Sequence, residues 1–412
     1  MEEMKLLGTI LDIGVALTQS GAETHRVEDT LYRLTESYGF RECNIWVVPS
    51  NIQGTVTTAS DESITQIRHI RQTGVDFDKL DRLNTLSRYA CSERPSVKEL
   101  KDRLNRIEKD ADSSIYKTYL GGVMAGAGFG VLFNCDGMDA FVAAIVSLLI
   151  TFLIRQLSAR ERNPLIRNFI IAFIAECLIL LSVQIGIGHH VGTITVGVIM
   201  LLISALGVTN GIRDLVHLDT LSGVMNITVS LAGAIGIALG IATPLYLLRE
   251  QAMHEIMSIE PNIWIQLLAC TIGAAGFAIW FHVKGKRILF CTLGAFLTWS
   301  VYIWANPDAG IFRATLYAAV FCGMYAQILA RLNKAPATIF MTIAIFPLVP
   351  GASLYYTVYG TVINNQDLVG SSASQMGQVC FGIVMGFLIV EVISRYIWRG
   401  TAKPIKQIEK GR

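Results

Sequence analysis

The chain has 412 residues, of which 52% are hydrophobic and 16% charged, with a formal net charge of +2. A soluble domain carries about 25% charged residues, so a wholly water-soluble protein is excluded, and the near-neutral balance argues against a nucleic-acid partner. The mean hydropathy of +0.48 averages a charged N-terminal part and long apolar runs after it. None of the eight cysteines forms a C-x-x-C pair, so neither a zinc site nor a disulfide framework is supported, and no metal or cofactor is expected.

In chain order, Leu6, Leu7, Ile10, Ile13 and Leu17 recur at helical spacing. Acidic Glu2 and Glu3 precede this run where a signal peptide would carry basic residues, so an amphipathic helix is expected. A second helix is expected to begin near Ser20, because Ser20-Gly21-Ala22-Glu23 has the form of a capping box. Its apolar face is Val27, Leu31, Leu34 and Tyr38, and Gly39 is its expected C-cap. Ile45–Val48 reads as a buried strand, Ile52–Thr57 as a half-buried strand, and Ile64–Ile70 as either strand or helix. Leu80, Leu83, Leu86 and Ala90 mark another helix, and Ser96 opens one more. Residues 1–113 are therefore expected to form a cytoplasmic α+β domain.

About 20 apolar residues span a bilayer as helix. Ten segments qualify: 115–133, 138–157, 165–185, 193–207, 221–248, 263–283, 288–304, 311–332, 337–354 and 376–398. Placing the N-terminal domain in the cytoplasm puts 22 Lys and Arg residues on inside flanks, and only Arg249 and Arg313 outside. Both termini are then cytoplasmic. The fourth and ninth segments are short, and each is followed by a polar stretch, a glycine and a glycine-rich helix. The first such stretch holds Asn210, Gly211 and Asp219 before Gly223; the second follows Pro350-Gly351-Ala352-Ser353 and holds Asp367 before Gly370. Five spans per half invert the second copy relative to the first, so the expected architecture is an α-helical polytopic membrane protein of two inverted five-helix repeats, residues 114–250 and 251–412. Matched broken segments point to a transporter's binding site.

The run Ser20-Gly21-Ala22-Glu23-Thr24-His25-Arg26-Val27-Glu28-Asp29, the run Asn210-Gly211-Ile212-Arg213-Asp214 with Asp219 and Gly223, and the break Pro347-Leu348-Val349-Pro350-Gly351-Ala352 resemble the threonine/serine exporter family. That family includes two-component versions implicated in succinate export. The resemblance implies export of small hydrophilic metabolites driven by the proton motive force across the inner membrane. It carries no residue-level mechanism, so the candidate residues come from the sequence itself.

Asn210, Arg213, Asp214 and Asp219 suit a zwitterion, with Arg213 for the carboxylate and an aspartate for the ammonium; the plainer reading is a solvated loop. Pro350, Gly351 and Ser353, with Asp367 beyond them, suit a ligand that uses freed backbone groups; the plainer reading is a packed kink. Glu176, near mid-span, and Glu391 are candidate proton carriers, although Glu391 has Arg395 one turn away as a simple partner. Gln184, Asn226, Gln327, Gln378, His189 and His190 are weaker candidates. Glu23, His25, Arg26, Glu28 and Asp29 form a possible functional motif in the N-terminal domain, against the plainer reading of a salt-bridged helix face. Glycines crowd the first and fifth spans, where close helix contact, at the repeat interface among other places, is expected.

The partners expected are a small-molecule substrate, protons and the lipid bilayer; a homo-oligomer is left open. A membrane-tethered hydrolase using the N-terminal motif is the runner-up, although no G-x-S-x-G elbow occurs. A passive channel is the third class. No G-x-x-x-x-G-K-[ST] loop occurs, which argues against an ATP-driven pump.

Overall fold

In the computed structural model, the apolar faces of the N-terminal elements close on one another and then onto the apolar helices that follow. The structure describes residues 2–71, 74–110, 115–158, 160–203, 205–216, 218–247 and 262–398. Arg249, the Arg395 side chain and the basic tail 399–412 lie outside the described residues.

Helix α1 (Glu2–Gln19) buries Leu7, Ile10, Leu11, Ile13 and Leu17, and α2 (Thr24–Ser37) buries Val27, Leu31 and Leu34. Both pack on an antiparallel sheet in the order β1 (Cys43–Val48), β2 (Asn51–Thr57), β3 (Ser63–His69). Strand β2 alternates buried and half-buried positions as its sequence alternates, and the ambiguous third segment is a strand. Helices α3 (Phe77–Glu93) and α4 (Val97–Lys109) follow. Ser96 caps α4, its Oγ accepting from the Glu99 amide at 3.3 Å.

The capping box expected at Ser20 is absent. Its hydroxyl instead donates back to the Ala16 carbonyl at 2.7 Å, ending α1. Gly21 then takes a left-handed conformation with φ 92°, and α2 begins at Thr24. The residues from Ser20 to Glu23 are thus a turn that projects Glu23, not the first turn of a helix.

The apolar region contains α5 (Ile115–Leu132), α6 (Gly137–Ser158), α7 (Pro164–Gln184), α8 (Val191–Ile199), α9 (Ala205–Val216) and α10 (Thr220–Leu247). It continues with α11 (Ile263–Trp280), α12 (Arg287–Leu332), α13 (Ala337–Ile345), a 3-10 turn (Phe346–Leu348), α14 (Gly351–Val362) and α15 (Gln366–Trp398). Among the described residues, six helices are long and apolar enough to cross a membrane, or seven if the bent pair α13–α14 is one span. The chain is therefore a helical membrane protein.

The difference from ten spans has local causes. Helix α5 carries Lys117 and many glycines, which dilute its apolarity. The run α12 has 46 residues and covers two expected spans, interrupted at Gly310 (φ 74°, ψ 169°) just after Pro307. Helices α8 and α9 are individually short, with 9 and 12 residues.

Several polar contacts join the N-terminal elements to one end of the apolar region. Lys284 pairs with Asp78 at 2.9 Å and Arg287 with Asp81 at 2.7 Å. The Phe77 amide donates to the Phe281 carbonyl at 2.9 Å, and Arg88 donates to the Lys334 carbonyl at 2.5 Å. The opposite end is stapled by His189 and His190, which reach Asp136 and Asp139 at 2.5 and 2.8 Å.

The glycines of α5 meet α11 without intervening side chains. A Cβ on Gly128 would lie 2.5 Å from the Gly273 nitrogen, so the two backbones touch. The glycines of α10 instead pack on α7, where a Cβ on Gly236 would lie 2.3 Å from the Leu165 carbonyl oxygen.

Candidate functional site

The two interruptions resemble each other in length. In the first, a helix of 9 residues (α8) is followed by a turn and a helix of 12 (α9). In the second, a helix of 9 (α13) is followed by the 3-10 turn and a helix of 12 (α14), the two parts bent by 42°. Pro347 and Pro350 account for the second break, since neither can donate a helical hydrogen bond. The breaks meet: a Cβ on Gly351 would lie 2.8 Å from Met200 Sδ.

Asn210, Arg213 and Asp214 were expected in a polar loop. They lie instead in α9, with only 7%, 5% and 0% of their surfaces exposed. That burial removes the solvated-loop reading and requires partners. Asp214 Oδ2 accepts from Thr24 Oγ1 at 3.2 Å and from Asn226 Nδ2 at 2.9 Å. Asp214 Oδ1 and Asn210 Oδ1 have no hydrogen-bond donor among the described residues.

Arg213 is ion-paired with Glu23, which the turn after α1 delivers from 190 residues away. Thr338, on α13, donates to the same Glu23 oxygen, Oε1, at 2.6 Å. Arg26 Nε and His25 Nδ1 lie 3.6 and 3.9 Å from the other oxygen, Oε2. On the far side, Arg213 reaches Glu391 of α15 at 3.6 Å. Glu391 is thus tied to another helix of the cluster, not only to its local neighbourhood. Burial alone would raise the Glu23 pKa, but Arg213, Arg26, His25 and the Thr338 hydroxyl outweigh it and hold the carboxyl at about 2.

Glu28, one helical turn on, accepts from the Val47 amide at 2.9 Å. Burial pushes its pKa to about 7 against that hydrogen bond, and the nearby Asp219 and Asp214 add to the rise. Asp29 pairs with Arg33 at 2.8 Å on the exposed face of α2. The N-terminal motif therefore divides: Glu23 and Thr24 enter the cluster, Glu28 borders it, and Asp29 is a surface ion pair. Asp219 is half-buried at the foot of α10, and Asp367 is exposed in the first turn of α15, apart from the cluster.

Two cavities flank the Glu23–Thr24 turn, and Ala22 lines both. One, of about 210 Å³, is lined by Thr24, Arg167, Asn168, Asn210 and Asn226. The other, of about 390 Å³, is lined by Glu23, His25, Arg26, Asn84, Pro336 and Thr338. A smaller cavity of about 80 Å³ lies at the second break, against Trp299, Tyr302, Pro350, Ser353 and Gln375. Glu176 is buried on α7 and accepts from Thr195 of α8 at 2.8 Å, just before the first break.

Thr195 and Thr338 carry no signal in the sequence, because a threonine in an apolar run has none of its own, and Thr24 stands in the N-terminal run without a role of its own; only the pairing of an acid in one motif with a base in another points to them. Asp136, Asp139 and His189 at the opposite end offer ligand atoms within 4.8 Å of one another. Their oxygens are already used by the loops: Asp139 Oδ1 accepts from the His189 and His190 amides, and Asp136 Oδ1 from the Met138 and Asp139 amides.

The threonine/serine exporter family ThrE matches residues 8–248, which include the N-terminal turn and the first break. A second family, "Threonine/Serine exporter, ThrE", matches residues 266–393, which include the second break. The "Probable threonine/serine exporter" of Mycobacterium tuberculosis is 21% identical over 376 residues, covering 88% of this chain and 71% of that protein. The "Threonine/serine exporter" of Corynebacterium glutamicum is 21% identical over 405 residues, covering 93% and 82%. No solved structure matches the chain.

Proposed function

Because the chain belongs to the threonine/serine exporter family, we infer that it is a secondary active exporter of small polar metabolites, threonine and serine first, driven by the proton motive force. The family is one of transporters, and Glu23, one of the acids a tethered hydrolase would use, pairs with Arg213 in this structure. The observation that carries the reading is the meeting of two like-built broken helices beside buried polar groups that lack partners.

The architecture proposed is ten spans in two inverted five-helix repeats, residues 114–250 and 251–412, after a cytoplasmic α+β domain of residues 1–113. Its support is a correspondence of contacts. The pair α7·α10 in the first half answers to α12·α15 in the second, α5·α8 to α11·α13, and α9·α10 to α14·α15. Across the halves, α10·α14 answers to α9·α15. The basic residues Lys284, Arg287 and Lys334 at the end that meets the N-terminal elements fit a cytoplasmic side of the inner membrane, with both termini facing it.

A zwitterionic amino acid fits the cluster chemically. Asp214 Oδ1 and Asn210 Oδ1, one turn apart on α9, are unused acceptors for an ammonium group, which has three protons to donate. Arg213 suits the carboxylate. At the second break, Gly351 and Ser353 line the approach from the other repeat. Glu176, bonded to Thr195 beside the first break, is the proposed proton carrier, and Glu391 on Arg213 is the second acid of the path.

Counterflow of labelled threonine, serine and succinate in proteoliposomes, with and without a pH gradient, tests this reading. Threonine or serine flux that rises with the gradient is expected. Succinate flux alone would replace the substrate with a dicarboxylate, and no flux from folded protein would end the reading.

A further inference from the structure

The Arg213 guanidinium is buried and would be expected to face a substrate carboxylate, yet it faces a carboxylate of this same chain. The cradle around that carboxylate is built from three separate parts of the molecule. Arg213 comes from α9 beyond the first break, Thr338 from α13 before the second, and Arg26 from α2. Nothing in the local sequence of Glu23 needs such a cradle, because α2 starts without any side-chain cap from it.

We propose that Arg213 and Thr338 form the carboxylate subsite of the transporter, and that Glu23 is a tethered stand-in that occupies it until a substrate carboxylate displaces it. This rests on the exporter reading above. The ligand class is a free carboxylate on a small solute, held by the Arg213 fork and the Thr338 hydroxyl.

Three features of the structure make the exchange workable. First, Glu23 has somewhere to go: Arg26 and His25 already lie 3.6 and 3.9 Å from Oε2, so the acid keeps the Arg26 guanidinium and the His25 ring as neighbours when it leaves Arg213. Second, open volume flanks the turn that carries Glu23: a cavity of about 390 Å³ is lined by Glu23 and Thr338 themselves, and one of about 210 Å³ by the neighbouring Ala22 and Thr24. Third, the N-terminal elements are held independently by Lys284–Asp78, Arg287–Asp81 and the Phe77–Phe281 hydrogen bond. Only the short turn from Ser20 to Glu23 has to move. It joins two helices and has its left-handed hinge at Gly21.

The tether sets a threshold. An intramolecular ligand on a short connection competes at an effective concentration in the millimolar range. Free substrate on the N-terminal side must approach that level before it claims Arg213, so transport stays low at low substrate and rises when substrate accumulates. Glu23 also bridges α9 to α13, so its departure releases a contact between the two halves at the moment the substrate enters.

The test uses the full-length protein. In Glu23→Ala, the cradle is empty and Arg213 is unpaired on that side, so millimolar acetate raises the thermal midpoint of the variant but not of the wild type. Threoninol, which has the amine without the carboxylate, does not. Adding Arg213→Gln to Glu23→Ala removes the acetate effect. In proteoliposomes, the KM for threonine counterflow falls about tenfold on loss of the competitor. If Glu23→Ala does not insert, Glu23→Gln keeps the shape without the charge and is expected to lower KM in the same direction. Acetate acting equally on wild type and variant, or a KM that rises on removing the carboxylate, overturns the proposal and leaves Glu23 a structural latch. The two readings fail separately. Acetate rescue without threonine flux keeps the cradle and removes threonine as substrate, whereas threonine flux without acetate rescue does the reverse.

Discussion

Glu28 gives the protein a pH-dependent stability that one substitution should erase. Its carboxyl is half-buried between β1 and the foot of α9 and α10, and its pKa rises from 4.5 to about 7, chiefly through burial, with Asp219 and Asp214 adding to it. A carboxyl whose folded-state pKa is raised stabilises the fold fully below its unfolded value. That contribution fades as pH climbs from 4.5 through about 7. At about 1.36 kcal/mol per tenfold change in proton affinity, the rise is worth at most about 3 kcal/mol. Solvent screening at a side chain this exposed cuts it to about 1–2 kcal/mol. Thermal unfolding of detergent-solubilised protein between pH 5 and pH 8 reads this directly (roughly the range over which the group titrates). Glu28→Gln, which mimics the protonated form and keeps an acceptor for the Val47 amide, is expected to lose little at low pH. At high pH it should be more stable than the wild type by about 1–2 kcal/mol. Parallel curves for the two proteins would refute the reasoning, because the wild-type carboxyl would then not resist ionisation in the folded state.

Other consequences are simpler to read. Gly128→Leu drives a side chain into the Gly273 backbone 2.5 Å away and is expected to destabilise by about 3 kcal/mol or more, seen as lost monodisperse yield. Gly377→Ala, with open space at its Cβ, should be neutral or stabilise by up to about 1 kcal/mol in the same assay. Ser96→Ala removes the cap on α4 and is expected to cost about 1 kcal/mol in thermal unfolding. Glu176→Gln should insert normally and exchange labelled threonine, but lose stimulation by a pH gradient; unchanged gradient-driven flux would remove Glu176 from the proton path.

The pattern of apolar periodicity carried most of the fold. Alternation in Ile52–Thr57 and helical spacing in Leu80–Ala90 each reappear as a strand and a helix, because burial of one face is what decides both. The double proline at Pro347 and Pro350 marked the second break for an equally local reason. Ser20 misled because a hydroxyl near a helix end can bond forwards as a cap or backwards into the preceding turn, and the left-handed Gly21 selects the second. Asn210 to Asp214 read as a loop because three polar residues in five lower apolarity, whereas burial in α9 is supplied by α2, α10 and α15 from elsewhere in the chain. The Glu23–Arg213 pair spans 190 residues, and nothing in either segment alone states which base meets which acid. The sequence marks both residues, but for different roles in different parts of the chain. Glu391 had a plausible partner one turn away, and the longer-range one to Arg213 was invisible for the same reason.

Solute binding where the two broken helices meet has a direct test. With the native cysteines replaced, single cysteines at Ser353 and Asn210 can be labelled with a maleimide in reconstituted protein, with and without saturating threonine. Slower labelling at both positions is predicted, with a control cysteine at exposed Gly137 unaffected. Equal labelling at Ser353 and Asn210 under conditions of active threonine counterflow would contradict it.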